Sequence, residues 1–180
     1  MSREQRVWSA DLEIRGDGRT VCGIACPFDA PTDLGRYVET IARTAFDRTI
    51  AERGPQRVKF LAQHNDRALP IGRATVLRPD TAGLYAELRV SKTSHGDEVL
   101  ELIKDGALDG LSIGFDPVPA TDRWSADRSS VVRHEVRLAE ISAVTVPAYE
   151  LARVTALRSL TPETFSVALA RRRAQLEGAI

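Results

Sequence analysis

Residues 93–118 read TSHGDEVLELIKDGALDGLSIGFDPV, and a change of period inside this stretch decides the local fold. Ser94, with Asp97 three residues on, approximates a capping box in which aspartate replaces the usual glutamate or glutamine, so a helix is expected to start there. Val99, Leu102, Ile103 and Gly106 recur at three and four, giving one apolar stripe over about three turns. Gly106 and Gly110 are natural stops. Beyond Gly110 the period becomes two: Leu111, Ile113 and Phe115 fall on one side, and Ser112, Gly114 and Asp116 on the other. Ser112 therefore sits on a strand facing away from its apolar neighbours, and Gly114 removes a side chain that would crowd the same face. An ordinary half-buried strand with a locally hydrogen-bonded serine gives the same pattern, so the stretch alone defines structure and not chemistry.

Working outward, 180 residues suit one domain able to bury its own core. Lys and Arg number 25 and so do Asp and Glu, so no long-range field favours nucleic acid or an anionic membrane. No apolar run approaches membrane-spanning length, and the N-terminal MSREQRVWSADLEIRG lacks the apolar core of a signal peptide. A cytoplasmic product is the expectation. Cys22 and Cys26 would lie about 13 Å apart along one strand, beyond the roughly 7 Å reach of a disulfide. With no further Cys or Cys/His pair at zinc spacing, they read as buried small hydrophobes.

The rest of the chain reads mainly as strands. Trp8 to Ile14 alternates and, across Gly16-Asp17-Gly18, is expected to form a hairpin with Thr20 to Phe28. Pro27 and Pro31 open a loop to Gly35, Tyr37 to Thr40 suits a short strand, and Thr44 to Ile50 a short helix ended by Gly54-Pro55. Val58 to His64 reads as a strand whose histidine continues the row Val58, Phe60, Ala62. Ile71 to Leu77 and Leu84 to Val90 form a second hairpin, and Pro117 to Ser130 a polar loop. Val132 to Val146 is a long strand pair or one bent strand, with Glu140 in the row of Val132, Val136, Leu138 and Val144. Thr161-Pro162-Glu163 starts a C-terminal helix carrying Arg171-Arg172-Arg173, read as a solvated face near a helix C-terminus.

Three polar side chains stand out. His64 and Glu140 interrupt apolar rows, and a buried carboxylate needs a cation, an imidazole or a hydrogen-bond donor beside it. Ser112 faces a cleared space. Together they can form a triad, with Ser112 as nucleophile, His64 as base and Glu140 orienting the imidazole. Each also has a bland reading as a satisfied core or edge residue. A catalytically silent structural domain and a small-molecule hydrolase or acyltransferase remain as alternatives.

His64-Asn65, Ile71-Gly72-Arg73, Gly83-Leu84, Thr93 to Asp97, Leu108 to Phe115 and Ala139 to Ala148 together resemble the prohead maturation proteases of tailed phages. Gly23-Ile24-Ala25 and Ala45-Phe46 fit the same pattern, and the resemblance spans about residues 10 to 155. It implies an α+β fold, a compact and mostly antiparallel β-barrel with surrounding helices like the herpesvirus assemblins. Residues 1–155 would be the protease domain and 156–180 a helix that packs, dimerises or is processed. It also implies a serine endopeptidase needing no cofactor or metal, acting in the host cytoplasm inside the assembling prohead. Scaffold, or the scaffolding segment of the major capsid protein, would be its substrate and partner, with self-cleavage a further family trait and a homodimer suggested by the assemblin relatives; a catalytically silent β-barrel head or scaffold-associated protein is the rival role, and the charge balance argues for no nucleic acid or membrane partner. His64 and Ser112 match the family's catalytic histidine and serine, and Glu140 its acidic third member. Herpesvirus relatives place a second histidine there; of the two other histidines, His134 is the reserve for that role, and His95, at a helix N-terminus, suits a capping or structural one. Arg133, Arg137 and Arg153 are potential helpers.

Overall fold

A computed structural model describes residues 3–9 and 12–145 of the chain. In order these form β1 (Glu4–Ser9), β2 (Glu13–Ile14), β3 (Thr20–Pro27), β4 (Thr32–Asp33), β5 (Val38–Ile41), α1 (Asp47–Arg53), β6 (Lys59–Ala62), β7 (Gly72–Pro79), β8 (Gly83–Val90), α2 (Ser94–Lys104), β9 (Gly110–Pro117), β10 (Arg123–Trp124), β11 (Ser130–Arg133) and β12 (Val136–Val144). Eight strands make one curled sheet in the order β1-β9-β12-β6-β7-β8-β3-β2, and β10-β11-β5-β4 make a second. The expected closed barrel is thus a half-barrel. The described residues contain two α-helices, so the helical surround is modest.

The helix-to-strand stretch forms with small shifts. Thr93, one residue before Ser94, is the N-cap, its hydroxyl accepting from the Gly96 N–H at 3.1 Å. Val99, Leu100 and Ile103 are buried while Leu102 is exposed, so the buried stripe is rotated from the expected one. The end is a Schellman motif: Gly106, at φ 79°, donates to Ile103 O and Ala107 donates to Leu102 O.

Two other expectations change. The first strand splits: β2 makes the predicted hairpin with β3, whereas β1 pairs antiparallel with β9, Val7 opposite Ser112. Residues 117–130 are not a free loop, because Arg123–Trp124 pairs with β11 in the second sheet. The long strand pair expected at 132–146 resolves into β11 and β12, one in each sheet. The C-terminal helix, the Arg171-Arg172-Arg173 triplet, Arg153 and the 155/156 boundary lie outside the described residues.

The core fills one face of the large sheet, with Phe60, Leu111, Ile113, Phe115, Leu138 and Ile141 each fully buried. Where the second sheet meets β1, the core gives way to charge. Glu39 of β5 accepts from Arg6 Nε at 2.5 Å and from Arg133 Nε at 2.8 Å. Arg133 also pairs with Asp122 at 2.5 Å, and Glu4 pairs with Arg6. Burial pushes the Asp122 carboxyl up, against the pull of Arg133. This network fastens β1 to the second sheet.

Candidate active site

The site is assembled by three neighbouring strands, β9, β12 and β6, on the face opposite the core. Ser112 comes from β9, and its cross-strand partner on β12 is Ser142. How Glu140 reaches that face was not visible in a strict period of two. Leu138 lies opposite Phe115, but the next residue across the ladder from Gly114 is Glu140 rather than Ala139. This β-bulge inserts one residue and shifts the alternation. Val136 and Leu138 before it, and Ile141 and Ala143 after it, face the core. Glu140 and Ser142 are thereby placed with Ser112 and Gly114, not in the row of Val136 and Leu138.

Helix α1 supports the bulge. Parallel pairing with β6 begins only at Glu140, opposite Lys59, so the preceding backbone needs other partners. Buried Thr49 supplies them: its hydroxyl donates to Val136 O at 3.1 Å and accepts from the Leu138 N–H at 3.2 Å. Arg53 donates to Leu138 O at 3.1 Å.

His64 is not on a strand. β6 ends at Ala62, and Gln63 and His64 take φ of 53° and 54°, a conformation costing about 1 to 2 kcal/mol each for residues with a side chain. These two residues turn the chain back over β12. The Gln63 N–H donates to Ala143 O at 2.9 Å and the His64 N–H to Ser142 Oγ at 3.2 Å, which fixes the turn. The imidazole consequently lies across β12 between the two groups of interest.

Its Nδ1 is 2.7 Å from Glu140 Oε1, and its Nε2 is hydrogen-bonded to Ser112 Oγ. Glu140 is 3% exposed and Ser112 fully buried. An ionised carboxylate accepts only, so Nδ1 carries the proton toward Glu140 and Nε2 offers its lone pair to the serine. The Ser112 hydroxyl has a second acceptor in reach, the Arg6 carbonyl of β1 at 2.8 Å. One proton serves both, and it reaches the imidazole only when it turns from Arg6. The arrangement can remove a proton from an alcohol as that alcohol adds to a carbonyl, and stabilise the resulting imidazolium.

Gly114 does keep space clear, but for the acid. A Cβ there would stand 2.1 Å from Glu140 Oε1. The remaining histidines make no hydrogen bond to Ser112, His64 or Glu140: His134 is exposed, and exposed His95 lies 3.6 Å from Glu98 on α2. Arg133 belongs to the buried charge network and Arg137 is exposed. Ser142 was overlooked as a site residue. The available signal was its position two residues after Glu140, the same spacing that puts Gly114 beside Ser112.

Residues 9–164 match the sequence profile described as caudovirus prohead serine protease. The chain belongs to this family. The protease also shares the fold of the solved bacteriophage T4 capsid assembly protease, gp21, at a TM-score of 0.59 and 13% identity over 81% of this chain and 98% of that one. No curated protein matches it significantly. Membership makes the chain a serine protease of phage capsid maturation. No helix among its described residues is long and apolar enough to cross a membrane.

Proposed function

We propose that Ser112, His64 and Glu140 are the working triad of this prohead protease, and that its substrate is scaffold protein or the scaffolding segment of the major capsid protein. The observation carrying this reading is the continuous hydrogen-bonded run from Ser112 Oγ through both His64 nitrogens to Glu140. Ser112 adds to the scissile carbonyl, His64 takes its proton and passes it to the leaving amine, and Glu140 holds the ring in the tautomer that makes this transfer productive. Water then releases the acyl group by the same route in reverse.

The reaction takes place within the assembling prohead in the host cytoplasm. Residues 1–155 constitute the protease unit, and residues 156–180 are a tail open to self-processing or to pairing with a second copy. Co-expression with the capsid and scaffold proteins tests the assignment. Processing is expected with the wild type and absent with Ser112→Ala, and an organophosphonate should label the wild type at Ser112. Processing that persists in the alanine variant would remove the triad reading.

A further inference from the structure

We propose that Ser142 is a positioning residue for the triad, tying the carboxylate of Glu140 and the main chain of His64 into one rigid unit. The inference rests on Ser112, His64 and Glu140 being the reacting set. Ser142 is fully buried and its hydroxyl uses both of its capacities. It donates to Glu140 Oε2 at 2.6 Å and accepts from the His64 N–H at 3.2 Å. Glu140 Oε1 meets His64 Nδ1, so a closed ring results: imidazole, carboxylate, hydroxyl, and the backbone of the same histidine.

Each link in this ring has a physical purpose. His64 stands at a positive φ that its side chain disfavours, so its backbone needs an external hold, and the Ser142 oxygen is one. Glu140 is buried, and its oxygen not used by His64 needs a hydrogen-bond partner there. Ser142 is that partner. The bulge that brings Glu140 to this face brings Ser142 with it, because the two are separated by one strand repeat.

Without the Ser142 hydroxyl, Glu140 Oε2 loses its donor and the His64 N–H its acceptor, so the carboxylate and the histidine turn are both free to move off the line to Ser112. Around the pair, His64 is the ionisable group in hydrogen-bond contact with Glu140 among the described residues. Lys59 on β6, in register with Glu140, is exposed. Asp116 on β9 and Arg137 on β12 are register partners further along the sheet, and Arg6 on β1 is engaged with Glu39. These charges are the same in the wild type and in a Ser142 variant, so a change in rate reports the lost hydroxyl.

The test uses the full chain and a fluorophosphonate probe, which requires no knowledge of the cleavage sequence. Ser112 Oγ forms a P–O bond, the P–F bond breaks, fluoride leaves, and the hydroxyl proton passes to His64 Nε2. The labelling rate is measured for the wild type and Ser142→Ala across about pH 5 to 9. Ser142→Ala should fall about 10- to 100-fold at its plateau with the probe's half-saturating concentration unchanged. Ser142→Cys, which keeps a weak donor of similar size, should lie between them, and it takes over the test if the alanine variant does not fold. A folded variant with the wild-type plateau would overturn the proposal, as would a fall that disappears once the rate is scaled to the folded fraction. Ser112→Ala separates the two readings: if that variant is unlabelled while Ser142→Ala behaves as the wild type, the triad stands and only the role of Ser142 falls.

Discussion

Gly114 and Glu140 face each other across the β9–β12 ladder so closely that a single methyl on Gly114 would lie 2.1 Å from the carboxylate oxygen. Gly114→Ala therefore displaces Glu140 from His64. We expect peptide hydrolysis to drop about 100-fold while the fold persists, since ångström-scale misplacement of a reacting group costs about that much. Circular dichroism and a kcat measurement on one preparation check this. Unchanged kcat would mean that Glu140 has another place to go.

Replacing Glu140 by glutamine keeps its volume and removes its charge. The amide can present its NH2 toward Nδ1 and favour the wrong imidazole tautomer. A loss of about 10⁴-fold in kcat is expected, as when the acid of a serine protease triad is converted to its amide. Progress curves on a cleavable peptide measure it, and a loss under tenfold would deny Glu140 its place.

Glu39 holds two guanidinium groups in a buried setting. Glu39→Ala leaves Arg6 and Arg133 facing each other without their shared carboxylate. Breaking such a buried pair costs about 3 to 5 kcal/mol, to be read as a lowered unfolding free energy in urea. Because Arg6 is on β1, the same variant should also loosen the strand paired beside Ser112, seen as faster amide exchange in residues 4–9.

Hydrogen bonds from the Arg19 N–H and the Thr20 hydroxyl hold the exposed Asp17 carboxyl down to about 2, against a reference value of 3.8. A depressed carboxylate stabilises the fold fully above its unfolded value, and this contribution is lost as pH falls through the folded one. Asp17→Ala should thus melt below the wild type at neutral pH, with the gap closing between about pH 4 and pH 2. A gap independent of pH would contradict the assignment.

Burial pushes the Cys26 thiol well up and the Cys22 thiol up as well. Neither should be alkylated by iodoacetamide in the native protein, and hydrolysis should survive the treatment. Intact-mass spectrometry reads adducts directly, and rapid modification of the folded chain would contradict the burial.

Much of this was legible because it was local. The α2–β9 stretch announces itself by a change from helical to alternating spacing, and the Gly106 stop needs only its neighbours. Of the three residues now found together, His64 and Glu140 were marked by polarity in apolar rows and Ser112 by the cleared space beside it. What escaped was whatever depends on distant pairing. The bulge at Ala139 is defined by the ladder with β9 and supported by Thr49, some 90 residues away in the chain, so a strict alternation put Glu140 on the wrong face. His64 was read as one more strand residue because no glycine marks the left-handed turn it occupies. The departure of β1 from its hairpin to pair with β9 is likewise decided by the partner strand and by Glu39, not by its own sequence.

The order of the strands also has a bearing on synthesis. β12 is the last described strand to leave the ribosome, yet it lies between β9 and β6. A nascent chain that has reached Val118 already carries the alcohol and the imidazole but lacks the element that spaces and aligns them. The hydrogen-bonded run cannot form until translation has passed Glu140, so the last described strand to be made is the one that completes it.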